Sequence, residues 1–123
     1  MENYLNVMKQ NLNVIDTMMK GLAHVQKQLS TRNYPEAVQL MEDMIIGFTA
    51  VERSSRPVLK NIDNTVDTEK YFNNVRSNLD LVVTHLENHS YARLQEIFQF
   101  TLIPNVKKLQ RELEQHFQPY VLS

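Results

Sequence analysis

Two histidines four residues apart, in His85-Leu86-Glu87-Asn88-His89, are the chain's best candidates for metal chemistry. On a helix, residues four apart share a face, and two imidazoles so placed can chelate one ion. The zinc-peptidase motif needs a glutamate directly after the first histidine. Here Glu87 comes two residues on and points to another side. A competent site also needs a third ligand from elsewhere, such as His24 or a carboxylate. The competing reading is two solvated side chains in a last helical turn, where a protonated imidazole is favoured by the helix dipole. No metal is assigned, and His85 and His89 stand as the metal candidates.

Other charged groups are weighed the same way. Arg53, Arg56 and Lys60, with Ser54 and Ser55, form a basic stripe suited to a phosphate or an acidic partner segment. Basic residues near a helix C-terminus are also expected on electrostatic grounds alone. Lys107, Lys108 and Arg111 are balanced by Glu112 and Glu114, which reads as a mixed-charge solvated face. The carboxylate pairs Glu42-Asp43 and Asp63/Asp67 have no catalytic spacing. The Glu plus Glu-x-x-His set of di-iron bundles is missing. Gly21 and Gly47 alone cannot build a phosphate-cradling loop. With no cysteine, a disulfide framework, a Cys-ligated zinc and a thiol nucleophile are excluded. The sequence therefore names no catalytic residue and no cofactor, and the expected class is non-enzymatic.

Apolar side chains are more suggestive. Phe100 lies two residues from Phe98, so the two point to roughly opposite sides of a helix. Ile97 and Ile103 flank it, and Tyr4, Val7 and Val14 broaden the first helix similarly. A helix apolar over more than one stripe often has a second partner, here a further copy of the chain or a client helix. A wide stripe feeding a four-helix core is the plainer reading. The six methionines divide in the same way, between core gap-filling and an adaptable groove.

These residues must be positioned by helices. Of 123 residues only two are glycine and four proline, few for a β-rich domain. Leu5, Met8, Leu12, Ile15, Met19, Leu22 and Leu29 step by threes and fours, with one gap filled by Gln26, marking a helix over most of 3–29, about 40 Å long. Asn33 with Glu36 fits a capping box and Pro35 fits a first turn. The second helix carries Ala37, Leu40, Met41, Met44, Ile45, Phe48 and Val51, and should weaken before Pro57. Asn61 to Thr65 reads as a loop. Phe72, Val75, Leu79, Val82 and Leu86 mark the third helix. Ser90 caps a fourth that runs to about Phe117, kinked at Pro104 and closed by Pro119.

At an offset of 57 residues the two halves match: Leu22 with Leu79, Val25 with Val82, Leu29 with Leu86, Tyr34 with Tyr91, Met41 with Phe98, and Ile45-Ile46 with Leu102-Ile103. Gly47 falls opposite Pro104, so both outer helices should bend there, and beyond that the alignment loses phase. Any two amphipathic hairpins would match in part, so a duplication is left open.

The segment from Tyr91 to Pro104, in which a tyrosine begins a helix and a Leu-Ile-Pro step interrupts it, resembles an uncharacterised family of short all-helical proteins of Gram-positive bacteria. Asn33-Tyr34-Pro35-Glu36-Ala37 resembles that group's first-hairpin turn. The resemblance implies a helical fold and nothing catalytic. Size and helix count are more loosely similar to flagellar export chaperones.

The expectation is one all-α domain over 1–123, an antiparallel four-helix bundle of two helical hairpins, 3–60 and 66–118. Net charge of -1 argues against a nucleic-acid partner. No apolar run nears the ~20 residues a bilayer requires, and the N-terminus does not read as a signal peptide, so a cytoplasmic protein is expected. The expected function is a protein–protein interaction module or adaptor, self-associating or binding a partner. The interaction residues are Phe100, Ile97, Ile103, Tyr4 and Val7. The alternatives are a metal- or small-ligand-binding bundle and an export-chaperone-like protein.

Overall fold

The computed structural model describes residues 2–62 and 65–122, so Asp63 of the Asp63/Asp67 pair and Asn64 of the expected loop lie outside it. Helix α1 spans Glu2–Ser30, α2 Tyr34–Leu59, α3 Val66–Glu87, α4 Tyr91–Ile97 and α5 Ile103–Val121. A π-helical turn, Phe98–Leu102, joins α4 to α5, so these form one long fourth rod. The result is an antiparallel four-helix bundle, with no strand among the described residues. Helix α1 lies against α2 and α5, while α3 packs on α4, the π turn and α5. Thus α1 and α3 occupy one diagonal, α2 and the fourth rod the other. One core runs the length of the bundle, from Met8 and Phe117 at one end to Leu29 and Leu94 at the other.

The expected boundaries change at the prolines and caps. Helix α2 continues through Pro57 to Leu59, and α5 through Pro119 to Val121. Val58 and Leu59 are buried, and that packing holds the last turn beyond the missing N–H. Helix α2 also runs without a break past Gly47. Neither Asn33 nor Ser90 makes a side-chain cap. Each is instead the last residue of a Schellman turn: Asn33 N–H donates to Gln28 C=O at 2.8 Å, and Ser90 N–H to His85 C=O at 2.9 Å. The left-handed residues of those turns are Arg32 (φ 62°) and His89 (φ 55°), again 57 apart.

The repeat extends past the matches seen in sequence and corrects the last of them, since Ile45, Ile46 and Gly47 correspond to Ile103, Pro104 and Asn105 rather than to Leu102, Ile103 and Pro104. Buried positions of α1 recur in α3 at the same offset: Asn11 and Thr68, Ile15 and Phe72, Met18 and Val75, Leu22 and Leu79, Val25 and Val82. In the outer helices Ala37 and Met41 correspond to Leu94 and Phe98 at 57, but Met44, Phe48, Val51, Ser55 and Leu59 correspond to Leu102, Val106, Leu109, Leu113 and Phe117 at 58. The change of offset falls within the π turn. A π turn is an α-helix with one residue inserted, so it absorbs the surplus and restores the core register. The loss of phase in the sequence is this single residue. Tyr34 and Tyr91 stack on each other, 3.7 Å between centroids and 5° between planes. Equivalent residues in mutual contact must straddle the axis relating them, so an approximate two-fold runs along the bundle through this stack.

Candidate functional site

Helix α4 aims Phe98 into the core, and the wide π turn then carries Phe100 to the outside, where it is 71% exposed. The opposite orientation of the two phenyls is as expected. Ile103 is half-buried beside Phe100, whereas Ile97 is 4% exposed and belongs to the core, correcting its place among the interaction residues. Tyr4 and Val7 are half-buried against the core. Gln95 and Gln99 sit level with Gln26 and Ser30, so Tyr4 lies about 30 Å along the bundle from the π turn. The structure therefore splits the expected interaction set into two places.

Around Phe100 the outer face of the fourth rod carries Glu96, Lys107, Lys108 and Arg111, all exposed. Glu96 pairs with Arg93 at 2.9 Å. Glu112 turns inward, its Oε1 3.2 Å from His116 Nε2 and 3.5 Å from the hydroxyl of buried Thr68. Glu114 stays half-exposed on the same face as Lys107 and Arg111, so the expected balance holds in part and this stretch of α5 is left with a net positive surface. On the opposite corner, α2 exposes Ile46 (69%) between Glu42-Asp43 and Arg53. The exposure of Ile46 leaves no trace in the sequence, because its neighbour Ile45 satisfies the same local apolar count. A shallow, mostly apolar concavity is lined by Ile45, Ile46, Thr49, Ala50 and Arg53.

The other candidates are dispersed. Helix α3 ends at Glu87, so His85 lies in its last turn and His89 beyond it in the left-handed position. The two histidines do not share a helical face, and His89 Nδ1 meets the Tyr91 hydroxyl at 2.8 Å. His24 is exposed on α1. Among the described residues no group of three or more His, Asp or Glu side chains is arranged to hold a metal ion.

The basic stripe separates too. Asn11 Nδ2 donates to Ser54 Oγ at 2.9 Å and to Ser55 Oγ at 2.8 Å, drawing both serines toward α1. Arg56 turns the other way, donating to Glu69 of α3 at 2.8 Å, with Glu52 3.5 Å away. That bond with Glu69 holds the guanidinium above its ordinary pKa. Arg53 and Lys60 stay exposed.

Sequence reasoning missed the seam between α2 and α3. Glu52 is nearly buried and accepts from Arg76 at 2.9 Å, while Arg76 also donates to Thr49 at 2.8 Å and lies 4.8 Å over the Phe48 ring. A buried carboxylate persists only when paired, and this one has two arginines. The available signal was a glutamate inside an apolar stripe, next to Val51.

Of the four large apolar side chains exposed among the described residues, Ile46 and Phe100 lie mid-helix on opposite corners of the bundle, and a buried polar seam runs between α2 and α3. No helix is long and apolar enough to cross a membrane. No curated protein and no solved structure matches the chain. A family model described as a domain of unknown function, DUF8042, matches residues 6–112, from the first turns of α1 into α5, and the chain belongs to that family.

Proposed function

We propose that this chain is a non-enzymatic helical protein–protein interaction module that docks a partner on the outer face of its fourth rod. The observation that carries the reading is Phe100, an aromatic side chain 71% exposed on the outside of a π turn. Leaving a phenyl in water forgoes about 1.5–3 kcal/mol of burial, and aromatic anchors ringed by polar groups are the usual centres of interfaces. The π turn supports the same reading, since such turns are frequent at functional sites. The mechanism is packing of the Phe100 face, with Ile103 at its side, against an apolar helix or groove. An export-chaperone-like adaptor is the same surface with a client helix as occupant. The resemblance carried by Tyr91 to Pro104 supports a cytosolic, Gram-positive bacterial setting as part of this proposal.

The test is co-isolation from the native cell with wild-type chain, Phe100→Asp, and Leu81→Asp as an exposed control on α3. The expected result is a protein retained by wild type and the control and lost with Phe100→Asp. Equal retention by all three overturns the reading. The metal- or small-ligand alternative draws on one observation, the buried and unpartnered Nδ1 of His85. It predicts an ion in the native mass spectrum that His85→Ala removes.

A further inference from the structure

We propose that the occupant of the Phe100 face is the α2 face of a second copy of this chain, in a head-to-tail contact. This deepens the interaction reading above and rests on it. The two faces complement each other in shape, since Phe100 protrudes and the apolar concavity around Ala50 recedes. They also complement each other in charge when the helices run antiparallel. With Ala50 set opposite Phe100, Ile46 falls opposite Pro104, Asp43 opposite Lys107 and Glu42 opposite Lys108. Arg53 then falls within one residue of Glu96. All of these side chains except Pro104 are exposed, and among the described residues Glu42, Asp43, Arg53, Lys107 and Lys108 have no ion pair within their own chain. Oppositely charged faces steer encounter and fix register, while the apolar centre supplies the driving force.

The same surfaces do not suit a symmetric dimer through the fourth rod. Its outer face carries Arg93, Lys107, Lys108 and Arg111 against Glu96 and half-exposed Glu114, and antiparallel copies centred on Phe100 would set Arg93 against Lys107. Because α2 and the fourth rod lie on opposite corners of the bundle, a head-to-tail contact leaves one free face at each end. It therefore propagates to a chain or a ring rather than closing at two.

The experiment is sedimentation velocity of the purified chain across a concentration series at low salt, with circular dichroism to confirm unchanged helicity. Four samples are compared: wild type, Phe100→Asp, Ala50→Arg, and an equimolar mixture of the two variants. Wild type is expected to form concentration-dependent species larger than a dimer, weakened by added salt. Each variant alone has lost one face and stays monomeric. The mixture recovers one intact contact and stops at a dimer. A monomeric wild type at every concentration overturns the proposal, as does a wild type that associates while the mixture stays monomeric. Either failure leaves the interaction reading standing if Phe100→Asp still loses a partner in the co-isolation test, and the two fall together only if it loses none.

Discussion

Hairpin one (α1–α2) and hairpin two (α3–α4–α5) place their core residues alike yet close by different means. At the middle of hairpin one stand Gly21 and Gly47, and a side chain built on Gly21 would run into Cε of Met44. At the equivalent positions of hairpin two stand Asn78 and Asn105, and Asn105 Nδ2 donates to Asn78 Oδ1 at 2.7 Å. One hairpin fills its centre with a flexible thioether, the other spans it with an amide pair. Near the open end the buried polar positions correspond again: Asn11 holds Ser54 in hairpin one, and Thr68 faces Glu112 in hairpin two. The two outer helices differ by one residue, and that residue is absorbed where Phe100 emerges. The comparison teaches that core register is conserved between the halves while the surface and the helix–helix closures are free to diverge.

Deletions break the comparison hardest. Removing Asp43 rotates the rest of α2 by about 100° and takes Phe48, Val51 and Val58 off the core. The expected loss exceeds about 5 kcal/mol, much of a small domain's stability, and should appear as lost helicity in circular dichroism. Removing Gln99 should do the reverse and convert the π turn to α-helix with its core register intact. Pro104 would then sit in a helix interior at a cost of about 3 kcal/mol, so the deletion is best paired with Pro104→Ala. The double variant should stay folded within about 2 kcal/mol of wild type by urea titration, allowing for local repacking. Unfolding of that variant would show that the π turn is not a surplus residue.

Core truncation sharpens the symmetric part. Leu22→Ala and Leu79→Ala remove equivalent buried side chains. Each should cost about 2–5 kcal/mol, and the two values should agree within about 1 kcal/mol if both cavities relax alike. A single shared unfolding transition is expected, and a variant that melts one hairpin alone would contradict one core.

The seams between hairpins are the asymmetric part. Glu52→Ala leaves Arg76 without its carboxylate, and because Arg76 is partly exposed the expected loss is about 1–3 kcal/mol, below that of a fully buried pair. Its counterpart Gln110→Ala should cost well under ~1 kcal/mol, as for a side chain outside any such network. Equal costs in chemical denaturation would mean that Glu52 contributes through packing rather than charge.

The smallest effects lie at the hairpin tips. Arg32→Gly and His89→Gly relieve a left-handed backbone at equivalent Schellman turns. Each should raise stability by about 0.5–1 kcal/mol, read as a higher urea midpoint. For His89 a gain in stability with no change in bound metal also speaks against a metal role.

The helices and most of the core were legible in the sequence, because burial on a helix repeats every 3.6 residues and leaves a periodic trace. Leu22, Leu79 and Val82 are placed in this way, and so is the outward turn of Phe100, two residues from Phe98, whereas the first helix's stripe sets Gln26 where the core takes Val25. Helix ends were less legible, since Asn33 and Ser90 carry capping side chains but are committed to closing the preceding helix. The π turn left only spacings of four, which are also ordinary in an α-helix, so its presence depended on packing against α1 and α3.

By itself, then, the sequence determined an all-helical chain of two hairpins and the faces those helices bury. Tertiary structure alone decided the Glu52–Arg76 pair, the inward turn of Glu112 and the core place of Ile97. The physical reason is range. Helical periodicity is set by neighbours three and four residues away, whereas a salt bridge 24 residues apart or the sign of a surface is fixed only once the helices pack.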